Sequence, residues 1–391
     1  MGGVAGKRSA LTWAVHLSAA ALVLLWIFPT VGLLVSSLRT TDQIRSSGWW
    51  AALFPAVQNE ILRTADPAET RVAQDGVFVV EGNLFVVAGR APSAEAVRAE
   101  ISAWGTSTRA IDAYQPGDTA DLGEGETLTV AANGDYRWTG NDEQLSGRGQ
   151  RVFVTAESPP EFTLGNYRSV LLDEGNREGM ANAFFATLTV TIPATIIPIL
   201  IAAFAAYALA WMEFPGRALL VAAVVAMLVV PLQLALIPLL TLHNQVGIGK
   251  GYLGVWLAHT GFGLPLAIYL LRNYMVGLPR EIIECAKVDG ATDFQIFTRI
   301  VLPLSFPALA SFAIFQFLWT WNDLLVAMVF LIDSTGETTV MTRQIVELLG
   351  TRGGDWEILA TSAFVSIAVP LVVFFTMQRY LVRGLLAGSV K

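Results

Sequence analysis

Glu284-Cys285-Ala286-Lys287-Val288-Asp289-Gly290, then nine residues, then Ile300-Val301-Leu302-Pro303: this stretch lies between two long apolar runs, and its reading decides the fold. A charged segment between runs long enough to cross a bilayer is a loop at a membrane surface. Pro279 suits the first residue of a helix, where its missing N–H costs nothing. Glu281 and Glu284 then fall in the first turns, favourable to the helix dipole. Gly290 is able to take the left-handed conformation that ends a helix. Thr292 and Gln295 have the spacing of a capping box opening a second short helix. Within that helix Phe294, Phe297 and Val301 recur at roughly helical spacing, an apolar stripe. Pro303 marks the passage into the next membrane run. The expected unit is a helix–turn–helix knuckle, charged on one side and aromatic on the other.

The composition agrees with a membrane protein: 391 residues, 54% hydrophobic and 15% charged. The charge is unevenly placed. Residues 42–182 hold 21 acidic side chains and 11 arginines, with no lysine, a formal −10. The remainder carries +3, giving −7 for the whole chain. Cys285 is the only cysteine, which rules out an intrachain disulfide and a Cys-rich zinc site. His16, His243 and His259 are scattered without ligand spacing and read as helix-end or packing residues.

Apolar runs place six spans at about 11–38, 182–211, 216–242, 252–274, 304–332 and 357–382. The first has no convincing cleavage site after it and reads as an uncleaved span, with Pro29 and Gly32 as kink positions. Lys7 and Arg8 put the N-terminus in the cytoplasm by the positive-inside rule. Arg272, Arg280, Lys287 and Arg299 then fall on the same side, as do Arg379, Arg383 and Lys391 at the C-terminus. The 42–181 insert and the loop 333–356 fall outside. Trp49 and Trp50 are rings of the kind found at membrane interfaces. In the insert, 76–80 and 83–87 read as strands and 93–104 as a short helix. Residues 127–131 and 135–139 flank Asn133-Gly134, a two-residue hairpin signal, and 151–155 is another strand. A small α+β domain is expected at about 68–157.

The opening stretch resembles the "EAA" loop of ABC-importer permeases: Glu-Ala-Ala, three residues, Gly, nine residues, Ile-x-Leu-Pro. Glu284, Ala286, Gly290, Ile300, Leu302 and Pro303 fall on that pattern, and Asp289 lies within it. Cys285 stands where the pattern has Ala; it is small and packs similarly. Further stretches look like carbohydrate permeases of the maltose-transporter type: His259-Thr260-Gly261-Phe262-Gly263-Leu264-Pro265, Leu271-Arg272-Asn273-Tyr274, Trp321-Asn322-Asp323 and Tyr380-Leu381-Val382-Arg383-Gly384-Leu385. The resemblance covers about 11–42 and 160–391 and is nearest to the α-glucoside branch, where a soluble insert follows the first span. It implies the type I ABC-importer permease fold, an all-α polytopic membrane protein with six transmembrane helices, in the bacterial inner membrane. It also implies a second homologous permease, two cytoplasmic ATPases that carry ATP and Mg, an external sugar-binding protein and a carbohydrate substrate. In that family the loop docks into the ATPase and carries its motion into the membrane.

Gly247-Ile248-Gly249-Lys250-Gly251 lacks the spacing and the Ser/Thr of a phosphate-binding loop. No cofactor or nucleic-acid partner is expected on this chain, nor catalysis. Gln316, Trp319, Thr320 and Asp323 are spaced to share one helix face, with Asn322 beside them. Such a face lines a sugar pathway, where hydroxyls meet carboxylate and amide groups and rings stack on Trp; structural hydrogen bonding between helices is the other reading. Asp323 is costly in lipid and needs a partner or a watery cavity. Pro231, Gln233 and Pro238 interrupt the third span. Two other classes stay open: an ion-driven secondary transporter, which needs midplane ionisable groups that the spans largely lack, and a membrane-anchored binding or sensor protein.

Overall fold

The computed structural model describes residues 10–74, 76–86, 100–172, 180–331, 338–351 and 353–386. Expectations for Lys7, Arg8, Val87, residues 93–99, part of the 333–356 loop, the Arg383 side chain and Lys391 lie outside the described residues. The chain divides into two compact units, residues 1–166 with 355–357, and 167–354 with 358–391.

The first unit begins with α1 (Ala10–Ser37), a 28-residue apolar helix. At 1.5 Å per residue it is about 42 Å long, more than the ~30 Å hydrocarbon core. Beyond it the chain turns back on itself around Arg39, whose buried guanidinium donates to the carbonyls of Gln43 (2.6 Å) and Ser47 (2.9 Å). Thr163 N donates to Leu38 O at 2.6 Å, tying the outgoing chain to the incoming one.

Among the described residues eight strands follow: β1 (Ala56–Arg63), β2 (Val72–Gln74), β3 (Val77–Asn83), β4 (Glu100–Gly105), β5 (Thr119–Gly123), β6 (Glu126–Val130), β7 (Asp135–Gly140) and β8 (Arg151–Ser158). They form two antiparallel sheets, of order β1-β8-β4 and β2-β3-β7-β6-β5. The core lies where alternate residues turn inward: Leu128 and Val130 on β6, Tyr136 and Trp138 on β7, and Trp104 on β4.

Several sequence expectations change here. Residues 100–104 are strand, not helix, because Trp104 pairs with Val154 across β4–β8 and is fully buried. The pieces at 76–80 and 83–87 are replaced by the single strand β3, laddered to β7 as far as Asn83. The hairpin at 127–139 is present, but its loop has three residues. Ala131 N donates to Asp135 O at 2.8 Å. Gly134 has φ +86° while Asn133 keeps a negative φ, so the turn is not the two-residue type that needs positive φ at both positions. The folded part starts at Ala56 rather than near 68, since β1 pairs along its whole length with β8. Among the described residues of 56–158 the only helix is Pro67–Thr70, and the regular structure there is otherwise strand.

The second unit is helical: α2 (Met180–Trp211), α3 (Arg217–Met227), α4 (Leu232–Gln245), α5 (Tyr252–Val276), α6 (Arg280–Val288), α7 (Asp293–Ile296), α8 (Phe306–Trp321), α9 (Leu325–Phe330), α10 (Met341–Thr351) and α11 (Trp356–Leu386). Among the described residues four helices, α1, α2, α5 and α11, are long and apolar enough to cross a membrane. Two bent pairs bring the count to six if each is one span: α3–α4, bent by 110°, and residues 293–304 with α8, bent by 69°. The third span, 216–242, is interrupted where its prolines indicated, and the span expected at 304–332 is entered through a bend at Ser305. Pro231 sits at the cap of α4 and has no N–H to continue the helix before it. Pro307 likewise removes the bond to the Pro303 carbonyl, and the chain bends at Ser305. The fifth expected span, 304–332, is itself broken: α8 ends at Trp321 and the chain restarts as α9.

One core cluster ties the knuckle to the long helices. It contains Ala206 and Tyr207 of α2, Leu271 and Met275 of α5, Ile283 of α6, and Ile296, Phe297 and Val301 beyond it.

Candidate functional site

The knuckle is built from local rules. α6 closes in a Schellman motif: Ala291 N donates to Ala286 O at 3.0 Å and Gly290 N to Lys287 O at 3.1 Å. Gly290 has φ +79°. Ala286 and Ala291 pack against the core cluster, so the motif's small residue holds the helix end down. Pro279 takes the cap rather than the first helical position, a shift of one residue. The capping box is complete: Thr292 N donates to Gln295 Oε1 at 2.9 Å, and Gln295 N to Thr292 Oγ1 at 3.3 Å. Phe297–Val301 then forms a π turn. Ile296, Phe297 and Val301 are buried, whereas Phe294, expected in the stripe, is exposed. Ile300 and Leu302 pack against the same core, and Pro303 is exposed.

The outward surface carries Glu284, Cys285 and Asp289, all exposed. Arg280 Nε donates to Glu284 Oε1 at 2.8 Å. Lys287 lies 3.9 Å from Asp293, whose carboxylate also accepts from the Tyr207 hydroxyl at 3.2 Å. An open groove of about 630 Å³ runs alongside, lined by Trp211, Glu213, Arg217, Arg280, Glu284 and Asp293, among others. Val288, 87% exposed, and Phe294, 65% exposed, stand out from the knuckle as apolar knobs. Charged groove walls and uncovered apolar side chains together are suited to receiving another protein.

The candidate pathway residues divide. Gln316 and Thr320 are buried within the chain. Gln316 Nε2 donates to Ala194 O at 3.0 Å, linking α8 to α2, and approaches His259 O at 3.5 Å. Gly263 makes room for that amide, since a Cβ there would lie 2.6 Å from Gln316 Oε1. Trp319 is 39% exposed and meets the His259 ring edge-on at 6.2 Å. Asn322 Nδ2 donates to Leu318 O of its own helix at 2.8 Å. Asp323 lies beyond the end of α8 and caps α9, accepting from Val326 N (3.0 Å) and Ala327 N (3.2 Å). Its Oδ2 is 3.8 Å from His259 Nε2. His259 thus stands at the centre of the set, although the spacing of the three histidines pointed only to packing. Its place between Gly-rich helix turns was the available signal.

Residues 184–386 match the family of the binding-protein-dependent transport system inner membrane component. The chain is 60% identical over 390 residues, 98% of each chain, to the alpha-glucoside transport system permease protein AglG of Rhizobium meliloti (strain 1021). The chain belongs to this permease family. The permease is also 58% identical over 231 residues to the osmoprotective compounds uptake permease protein GgtD of Synechocystis, covering 59% of this chain and 76% of that one. A solved bacterial ABC transporter that imports alginate aligns at 22% identity with a TM-score of 0.45, over 57% of the permease and 81% of that chain. The knuckle lies inside the matched family region, and the likeness to AglG runs through the 42–181 insert as well. As a member of an inner-membrane, binding-protein-dependent family, the permease works with further subunits.

Proposed function

We propose that this permease is the membrane subunit of an ATP-driven importer for an α-glucoside, with six spans and both termini in the cytoplasm. It pairs with a second homologous permease. Two ATPase subunits, holding ATP and Mg, act on the pair, and an external binding protein delivers the sugar. The observation that carries the substrate class is the 60% identity to AglG over 98% of both chains. The coupling role rests on the knuckle. Glu284, Cys285, Asp289 and the groove beside them face outward, while Ala286, Ile300 and Leu302 pack on the core that includes α2 and α5. A push on the exposed face is thereby passed to two long helices, with Gly290 and the bend after Pro303 as the compliant points. In the candidate pathway set, half-exposed Trp319 is the member best placed to stack on a sugar; Gln316 and Asp323 hold helices together.

The test is uptake of labelled maltose, sucrose and trehalose in a bacterial strain lacking this chain. Restored uptake of an α-glucoside by the native chain, dependent on the binding protein and ATPase, is expected. Uptake unchanged by its loss, or unaffected by loss of the ATPase, overturns the reading.

A further inference from the structure

Directly after α1 the chain carries Ser46 to Asn59, fourteen residues without one charged side chain, in a region whose formal charge is −10. Trp50, Leu53 and Phe54 in this stretch are 71, 77 and 67% exposed. Exposed large side chains this close together in a folded acidic domain call for a covering surface.

The geometry fixes where that surface is. The turn around Arg39 sends the chain back along α1 instead of away from it. Trp49 packs edge-on against Phe28 with ring centroids 4.5 Å apart. Its indole also lies over Gly32, where a Cβ would come within 2.7 Å. Gly32 and Phe28 are five and nine residues before the end of α1, about 7 and 13 Å below its tip. A helix about 42 Å long spans a ~30 Å core with roughly one turn projecting at each end, so both positions lie on the core side of the lipid boundary, Gly32 close to it and Phe28 about two turns from the tip. Gly48 leaves room for the Trp50 ring to fold over it.

We infer that Trp50, Leu53 and Phe54 form a lipid-facing wedge that enters the headgroup–acyl boundary beside the end of α1 and holds the β domain to the membrane surface. The occupant is lipid rather than a protein partner. The patch continues the exposed apolar surface of α1, sits at interface depth, and combines Trp with Leu and Phe and no charge, the composition that interfacial segments use. The inference rests on α1 being a membrane span, a part of the proposed function that can be tested separately.

The full chain, with Cys285→Ala to leave no other thiol, is spin-labelled at Leu53→Cys or Phe54→Cys and placed in vesicles of phosphatidylethanolamine and phosphatidylglycerol. Leu24→Cys, mid-way along α1, and Glu124→Cys, in an exposed turn of the domain, serve as lipid and water references. Labels at 53 and 54 are expected to admit oxygen and exclude a water-soluble nickel chelate, with a calculated depth shallower than that at 24. Nickel access equal to that at 124 places the patch in water and overturns the inference. Exclusion of both reagents means protein covers it, and overturns it equally. Nickel access at 24 removes α1 from the membrane, and identifies the span assignment as the point of failure.

Discussion

Substituting Gly290 in turn by asparagine, alanine and valine measures how much the transporter depends on one backbone angle. At φ +79° an L-residue pays about 1–2 kcal/mol relative to glycine. Asparagine tolerates the region better than alanine, and a β-branched residue tolerates it worst. A Cβ at this position meets nothing within 4 Å, so inside the chain the effect is conformational rather than steric. A cost of 1–2 kcal/mol lowers the population of the Schellman turn about 5–30-fold relative to its open forms. The capping box and the Ala286–Ala291 packing resist that opening without restoring the angle. The assay is sugar taken up per ATP hydrolysed in proteoliposomes holding the complete transporter. The expected order is Gly, then Asn, then Ala, then Val, with equal amounts of inserted protein. Wild-type coupling in the valine variant refutes the reasoning. So does asparagine acting worse than valine, which would make side-chain size, not backbone angle, the controlling variable.

Thr292→Ala removes one half of the capping box, at about 0.5–2 kcal/mol, and Thr292→Ser restores most of it; hydrogen exchange at residues 293–301 is expected to quicken in the first variant only. Gly263→Ala forces the Gln316 amide from Ala194 O, leaving a buried polar group unsatisfied at about 1–3 kcal/mol. Gly263→Ala with Gln316→Ala then loses less thermal stability in detergent than the two single changes added together. In the β domain, side-chain hydrogen bonds from Asn83 and Asn133 hold the Asp135 carboxyl below its ordinary range. Its stabilising contribution is therefore present above the ordinary carboxylate pKa and lost as pH falls through the depressed folded value. Asp135→Asn is expected to flatten that acid limb, read by the fluorescence of the domain's tryptophans.

The knuckle was legible because its determinants are local. A capping box spans three residues, a left-handed glycine concerns one, and the structure contains both. Phe294 escaped because it shares a turn with buried Ile296 and Phe297, and spacing alone does not say where the edge of the apolar face falls. The break in the third span was legible at Pro231, but the size of the bends was not. Hydropathy averages across a proline, and an angle of 110° or 69° is set by the helices packed around it. In the insert, β6 and β7 were readable from the turn between them, whereas β1 and β4 take their identity from β8, far along the chain. Residues 100–104 carry no local mark of that partner. The capping role of Asp323 was hidden similarly, since spacing along a helix says nothing about where the helix stops.

The pairing of Ala56 with Ser158 has a consequence for how such a protein can change over time. Residues facing each other across an antiparallel ladder lie about 5 Å apart, so the β domain leaves and rejoins the chain at nearly one point. It is a detachable cassette: a short turn closes the gap when it is removed, and the path of the chain on either side is left unaltered. One genetic splice can therefore add or delete the whole domain without re-routing a membrane helix. The same two positions are the natural site at which to graft a different domain.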